Sequence, residues 1–351
     1  MSVANLTTSP SLASALGQRY PDLRNQWNRK AESLALVPKK AGFAINAAFD
    51  IGVGGAAAGT VAEGADIVTG QYLQDGFVPA TLSWGIYQSG FGLSHLAMAA
   101  AASSGGSAPG ALVDIVGQQV IGCLTALGSK LNVDLLLGNG TGENAAQNIV
   151  GLTGGALPVA GQTYATVAVN SQALWASNVL ANGGVARPLT VDLLNSAERL
   201  QYVRSGMRGD FIICSPGVYQ KYAALFTPNQ RINSNTSVAV LGTGAQAYEF
   251  MGMPIVRDKD LTEGNMIFMN SSCLELQYLP PSSWASVDAA ASARYSAMSS
   301  QGDFMDSLGL PISMYSVAKT GGASKFFFEI MCQLVVKRPN AFVLIQDLST
   351  T

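Results

Sequence analysis

Gly209-Asp-Phe-Ile-Ile-Cys-Ser-Pro-Gly-Val-Tyr-Gln-Lys-Tyr-Ala-Ala-Leu-Phe226 carries two structural signals back to back. Asp210-Phe-Ile-Ile-Cys214 is a short unbroken apolar run, the pattern of a strand buried on both faces. Ser215-Pro216 then supplies an N-cap and a first-turn proline, which predicts a helix through Leu225. A strand leading directly into a helix fixes an α/β unit at this point of the chain.

The neighbouring segments extend that unit. Upstream, residues 189–204 have helical spacing from Thr190, with Leu193, Leu194, Ala197 and Leu200 on one side. Downstream, Tyr248–Val256 and Met266–Tyr278 read as strands, joined by a turn at Leu261-Thr-Glu-Gly264. Further along, Phe326–Val336 and Ala341–Leu348 read as long strands separated by the turn signal Lys337-Arg-Pro-Asn340.

The strongest helix lies earlier, over 109–135. Pro109 suits its first turn, and an apolar stripe runs through Leu112, Val116, Val120, Cys123, Leu127, Leu131 and Leu135. Gly138 is a plausible stop. Gly117, Gly122 and Gly128 cost helix propensity, and either allow a close neighbour or are simply tolerated. Before this helix, residues 41–90 are rich in Gly and Ala, with strand-like segments at 48–53 and 80–87. The piece between them predicts a long extended loop, which inside a compact domain is unusual unless it has a function. No internal repeat is visible.

Composition narrows the function. Of 351 residues 48% are hydrophobic and only 12% charged, about half the usual charged share of ~25%. Such a surface is poorly protected against association, which predicts that partner subunits cover much of it. The net charge of −2 argues against a globally basic nucleic-acid binder. Charge is nonetheless uneven: +4 over residues 1–40, −6 over 41–186 and zero over 187–351. The basic residues of the first zone are Arg19, Arg24, Arg29, Lys30, Lys39 and Lys40. They fit either contact with an acidic partner or an ordinary solvated helix. The start of the chain lacks a secretory signal. The uncharged stretches Gly76–Val113 and Asn144–Ala186 are too broken by polar residues, Gly and Pro to span a membrane. A soluble protein made in a cytoplasm is expected.

Catalytic signatures are missing. The single histidine, His95, cannot form a two-histidine metal site. Ser215 lacks the first glycine of a nucleophile elbow. Cys123, Cys214, Cys273 and Cys332 are far apart in sequence and in apolar surroundings, as buried reduced thiols are. Asp258, Asp260 and Glu263, interleaved with Arg257 and Lys259, read as a solvated turn. Val238-Ala-Val-Leu-Gly-Thr-Gly-Ala-Gln-Ala247 matches G-x-G-x-x-A, but a dinucleotide site needs a helix opening at Gly242 and Gly244. Gly252 and Pro254 arrive too early for one. No catalytic, cofactor or metal-binding residue is assigned.

The order of elements, together with five segments, resembles the major capsid protein of tailed double-stranded DNA bacteriophages, the Hong Kong 97-type fold. The segments are Gly209–Phe226; Tyr248-Glu-Phe-Met-Gly-Met-Pro-Ile-Val-Arg-Asp258; Glu263-Gly-Asn-Met-Ile-Phe-Met-Asn270; Leu131-Asn-Val-Asp-Leu-Leu-Leu-Gly-Asn-Gly-Thr-Gly142; and Gln333-Leu-Val-Val-Lys-Arg-Pro339. The resemblance implies an α+β fold with an N-terminal arm over 1–45 and an extended β loop over 46–84. It places the peripheral domain at 85–190 and 300–351, with the 109–135 helix as its spine, and the axial domain at 191–299. It implies a non-enzymatic subunit that assembles with itself into the hexamers and pentamers of an icosahedral shell. Scaffolding, portal and cementing proteins are expected partners, and packaged double-stranded DNA is expected to be held by weak non-specific contact. The expected location is the virion, after assembly in the host bacterial cytoplasm. Some relatives cross-link through a lysine of the extended loop, but no lysine occurs between Lys40 and Lys130, so that chemistry is not expected. An encapsulin-like nanocompartment shell is the alternative, and a dinucleotide-dependent oxidoreductase a remote one.

Overall fold

The computed structural model describes residues 32–42, 47–52, 77–94, 108–141, 147–169, 175–226, 248–279, 310, 312–317 and 323–350. In chain order these form α1 (Glu32–Leu36), β1 (Lys39–Ala41), β2 (Ala47–Gly52), β3 (Phe77–Leu82), β4 (Gly85–Ser94) and α2 (Ala108–Leu137). Short strands follow: β5 (Asn139–Thr141), β6 (Gln147–Val150), β7 (Thr163–Tyr164), β8 (Val167–Ala168) and β9 (Asn178–Leu180). Next come α3 (Val191–Ser205), β10 (Phe211–Cys214), α4 (Pro216–Phe226), β11 (Tyr248–Phe250), β12 (Met253–Arg257), β13 (Met266–Met269) and β14 (Leu274–Tyr278). The chain closes with β15 (Ser313–Val317), β16 (Ala323–Val336) and β17 (Val343–Ile345).

Two sheets organise these elements. The first is built on β16, whose fourteen residues pair with β4 on one edge and with β15 and β14 on the other. β1 adds to β14 in parallel. Helix α2 packs against β4 and β16, and Leu124, Leu127, Leu131 and Leu135 form its buried stripe. Each such leucine contributes roughly 2 kcal/mol of burial. The second sheet runs in the order β11-β12-β10-β13-β17-β9 and carries α3 and α4.

The apolar runs of β10 and β13 are buried at every position because this second sheet is covered on both faces. Ile212 lies opposite Phe268, and Phe268 opposite Val343. These residues point into the core shared with α3 and α4. Ile213, Ile267 and Leu344, the neighbours in register, point the other way and join the core of the first sheet. The period of two along each strand therefore divides one run of sequence between two cores.

The sequence reading departs from the structure at four strands. The strand read over 80–87 divides at Ser83-Trp84 between β3, which pairs with β2, and β4, which pairs with β16. Tyr248–Val256 is not one strand but the hairpin β11–β12, turned at Met251 (φ 49°) and Gly252 (φ 84°). Two successive positive φ values are what a two-residue hairpin turn of type I′ requires. Met266–Tyr278 is also interrupted: Asn270 caps a 3-10 turn over Ser271–Cys273, and the chain passes there from the second sheet to the first. Ala341–Leu348 shortens to Val343–Ile345, after a 3-10 turn at Pro339–Ala341. The helix read over 109–135 extends over Ala108–Leu137, and that read over 189–204 over Val191–Ser205, capped by the Thr190 side chain.

Helix α2 ends against the backbone of Gly138 and Gly151 and the Thr153 side chain. Gly138 N donates to Asp134 O at 2.8 Å, Gly151 N to Gly138 O at 2.7 Å and Thr153 Oγ1 to Leu136 O at 2.7 Å. These bonds satisfy carbonyls that a helix C-terminus leaves open. A Cβ on Gly154 would lie 1.9 Å from Gly138 O, whereas one on Gly122 would meet nothing within 4 Å. Gly122 is thus a tolerated glycine, and two alanine substitutions have opposite signs. Gly122→Ala stabilises the subunit by about 1 kcal/mol through helix propensity. Gly154→Ala forces backbone apart and destabilises it by at least about 1–3 kcal/mol. Denaturant midpoints of the unassembled variants check both.

Candidate functional site

Among the described residues no group of three or more His, Cys, Asp or Glu side chains could hold a metal ion. The four cysteines are free and buried. Burial first, then Glu263, pushes the Cys214 thiol well above its ordinary range; burial and then Asp134 do the same to Cys332. Such thiols are poor nucleophiles. Tyr222 is pushed up to about 12, chiefly by burial. Ser215 is fully buried, and its Oγ accepts from Gly264 N at 3.2 Å rather than facing a base. His95, Gly242 and Gly244 lie outside the described residues. Where a dinucleotide helix would have to continue, residues 248–257 form a β hairpin.

The most developed polar arrangement is structural, and the sequence reading missed it. Asp258 is only 2% exposed, not part of a solvated turn. Its backbone N–H extends the second sheet by donating to Cys214 O at 2.9 Å. Its Oδ2 accepts from Ser33 N (3.2 Å), Ser33 Oγ (2.5 Å) and Asn132 Nδ2 (3.1 Å). Its Oδ1 accepts from Asp260 N at 2.8 Å. Asn132 is itself buried, donates also to Asp260 Oδ2 at 2.8 Å, and accepts from Leu34 N at 3.2 Å. One carboxyl thereby joins α1, α2 and the loop after β12. Lys259 takes the other side of Asp260 at 2.5 Å. Glu263 lies outside this network.

The chain around Ser33 is correspondingly built in. Leu34 and Val37 belong to the first core. Leu276 N donates to Pro38 O and Gly42 N to Tyr278 O, both at 2.7 Å. A Cβ on Gly42 would come within 2.5 Å of the Trp84 ring, so glycine is what lets β1 lie this close. Lys40 stands 3.9 Å from Glu275 and Lys337 2.6 Å from it, while Gln277 donates to Glu275 at 2.6 Å. Of the basic residues noted near the N-terminus, Lys39 and Lys40 are thus on β1; the other four lie outside the described residues.

A second anchor holds α2 to the first sheet. The Tyr87 hydroxyl donates to Asp134 Oδ2 at 2.9 Å and accepts from Ile149 N at 2.9 Å, and Lys130 pairs with Asp134 at 3.1 Å. These networks hold elements together; none presents a reactive atom to solvent.

Comparison with known proteins decides what such a scaffold is. Residues 86–301 match the family model described as SU10 major capsid protein, a span that runs from β4 of the first sheet through every strand of the second except β17. The chain belongs to the SU10 major capsid protein family. It is a structural capsid protein, and its two packed sheets form a Hong Kong 97-type α+β fold. The fold is similar to the capsid subunit of cyanophage A-1(L), with a TM-score of 0.68 and 15% identity over 91% of this chain and 93% of that one. It is also similar to the SrpI encapsulin of Synechococcus elongatus (0.54, 11% identity, 92% and 88%). Gordonia phage Cozz gives 0.54 at 13% identity, over 91% and 87%. Comparison with curated protein sequences finds no match. No helix among the described residues is long and apolar enough to cross a membrane.

Two predictions follow from the capsid subunit's joints. Asp258→Ala leaves both Ser33 donors buried without their acceptor and Asn132 Nδ2 with Asp260 alone, and costs about 2–5 kcal/mol. Limited proteolysis of the variant then cuts within 32–42, where the parent chain is protected. For Glu275, burial alone raises the pKa, but the hydrogen bonds from Lys337 and Gln277 and the charges of Lys337 and Lys40 outweigh it, so the folded pKa is lowered. A lowered carboxylate pKa stabilises above the unfolded value of ~4.3 and is lost as pH falls through the folded value. Acid-induced exposure of β1, followed by hydrogen exchange at Lys39–Ala41, therefore begins at higher pH in Lys337→Met than in the parent.

Proposed function

We propose that this chain is the repeating subunit of an icosahedral phage shell, arranged as hexamers and pentamers around packaged double-stranded DNA. It acts there by assembly and not by catalysis. In this reading residues 1–45 are the N-terminal arm and 46–84 the extended loop. Residues 85–190 and 300–351 form the peripheral domain around the α2 spine, and 191–299 the axial domain. The observation that carries the reading is the family match over 86–301. It is supported by a low charge content, which suits flanks covered by neighbours.

Assembly is proposed to take place in the host cytoplasm with separate scaffolding and portal proteins. With no lysine between Lys40 and Lys130, the shell is held by non-covalent overlap or a cementing protein. Contact with the genome is weak and non-specific, in keeping with a net charge of −2. The similarity to an encapsulin favours one alternative, a nanocompartment shell enclosing protein cargo.

Expression with and without co-expressed scaffold candidates, followed by electron microscopy and sedimentation, tests the proposal. Closed shells tens of nanometres across, or free capsomers, are expected. Nuclease-protected DNA in particles released from infected cells supports a capsid, and protein cargo without DNA supports the nanocompartment. A monomer under every condition overturns both.

A further inference from the structure

Of the chain's asparagines only Asn139 and Asn182 are followed by glycine. Glycine has no Cβ to keep its backbone nitrogen away from the preceding side chain. In an Asn-Gly pair that nitrogen can therefore attack the Asn amide carbon and close a five-membered ring. The structure treats the two pairs differently. Asn139 lies in β5 opposite Val150 of β6, and Gly151 N donates to Gly138 O at 2.7 Å on one flank of this pairing. The antiparallel ladder takes the Gly140 N–H toward β6 on the other flank. The Asn139 side chain is fixed as well, its Oδ1 accepting from Thr141 N at 3.0 Å.

Asn182 instead begins an exposed turn. Val185 N donates to Asn182 O at 3.2 Å, with Gly183 (φ 66°) and Gly184 (φ 79°) between them. The two positive φ values make the turn type I′. Asp347 grips it from the C-terminal segment: its Oδ2 accepts from Asn182 N at 2.7 Å and from Gly184 N at 3.0 Å. The Gly183 N–H between them donates to no acceptor among the described residues. A Cβ on Gly183 would meet nothing within 4 Å, so water has free access. Among the described residues the Asn182 amide is held by one hydrogen bond, from Nδ2 to Val185 O at 2.8 Å.

We infer that Asn182 is a site of spontaneous deamidation, with water as the only co-reactant. Gly183 N gives up its proton to solvent and bonds to Asn182 Cγ. The Cγ–Nδ2 bond breaks, and Nδ2 takes up a proton and leaves as ammonia. Water then opens the cyclic imide at one carbonyl or the other, so that position 182 becomes aspartate or isoaspartate; nothing is oxidised or reduced. Either product unfastens the turn. Aspartate loses the Nδ2 donor and sets a second carboxylate in the turn that Asp347 grips, where like charges repel. Isoaspartate routes the backbone through Cβ and Cγ and takes away the peptide carbonyl that Val185 N uses. The C-terminal segment depends on this turn, because Arg187 N donates to Asp347 O and Ser349 N to Arg187 O, both at 2.8 Å. The inference does not depend on the shell reading.

Ageing the full-length chain in mildly alkaline buffer tests it, read by peptide mapping in a mass spectrometer and by enzymatic methylation of isoaspartate. The same chain unfolded in urea is the reference, in which both pairs react. In the folded chain Asn182 is expected to react at least about tenfold faster than Asn139, whose reaction waits for local opening. The aged chain is expected to lose hydrogen-exchange protection at the Arg187 and Ser349 amides. Asn182→Gln, a surface change that leaves folding nearly untouched, closes a larger ring far more slowly and keeps that protection. An unmodified Asn182 in the folded chain, or equal rates at the two sites, overturns the inference. So does an Asn182→Gln chain that loses protection as fast as the parent. Modification at Asn182 with both amides still protected overturns the unfastening of the C-terminal segment.

Discussion

A buried carboxyl sets the relation between the two sheets. Asp258 leaves the second sheet at the end of β12 and enters a space enclosed by α1 and α2. Taking such a group out of water is costly unless its oxygens find donors. No cation pairs with it among the described residues. It is met by Ser33, Asn132 and the backbone of Asp260. Hydrogen bonds have narrower geometry than ion pairs, so the three elements that supply them have little freedom to slide. Apolar contact between the sheets provides most of the adhesion; Asp258 fixes their register.

That division of labour follows from the strands themselves. A sheet buried on both faces has no polar side to orient it, because Phe211–Cys214 and Met266–Met269 present apolar groups in both directions. Apolar packing alone tolerates rearrangement when volume is conserved. Polar pins at the strand ends remove the ambiguity. Asn270 is one, where the chain changes sheets, and Gln201 is another, donating to Ala341 O at 2.7 Å between α3 and the 3-10 turn before β17. Asn178, donating to Asn340 O at 2.8 Å, is a third, at the β9 edge.

Much of this was legible in the sequence wherever one residue type permits only one conformation. The strand at Phe211–Cys214, the helix starting at Pro216 and the helix read from Thr190 all rest on local rules, and the order of elements led to the fold. Three features were not local. Met251-Gly252 has a hairpin turn's geometry, but flanking apolar residues made the segment look continuous. Asn270 breaks a strand only because a second sheet is there to receive Leu274–Tyr278. Asp258, surrounded by charged residues in sequence, looked solvated, because nothing nearby announces Ser33, 225 positions away, or Asn132. Its burial depends on partners that only the tertiary structure assembles.

The N-terminal segment shows how far assembly chemistry reaches into the subunit. Residues 32–42 contribute Leu34 and Val37 to the first core, Ser33 to the joint and β1 to the sheet edge. β1 is a three-residue strand, too short to be stable by itself. It holds because Glu275 gathers Lys40 and Lys337 across the edge while Gly42 admits the Trp84 ring. An edge strand fixed in this way also covers β14, which would otherwise offer an open row of backbone groups to any passing strand. In a protein whose work is to associate with copies of itself, closing that edge matters as much as leaving others open. What stays exposed on α3 and at the β11–β12 turn is side chain, which can discriminate between partners as bare backbone cannot.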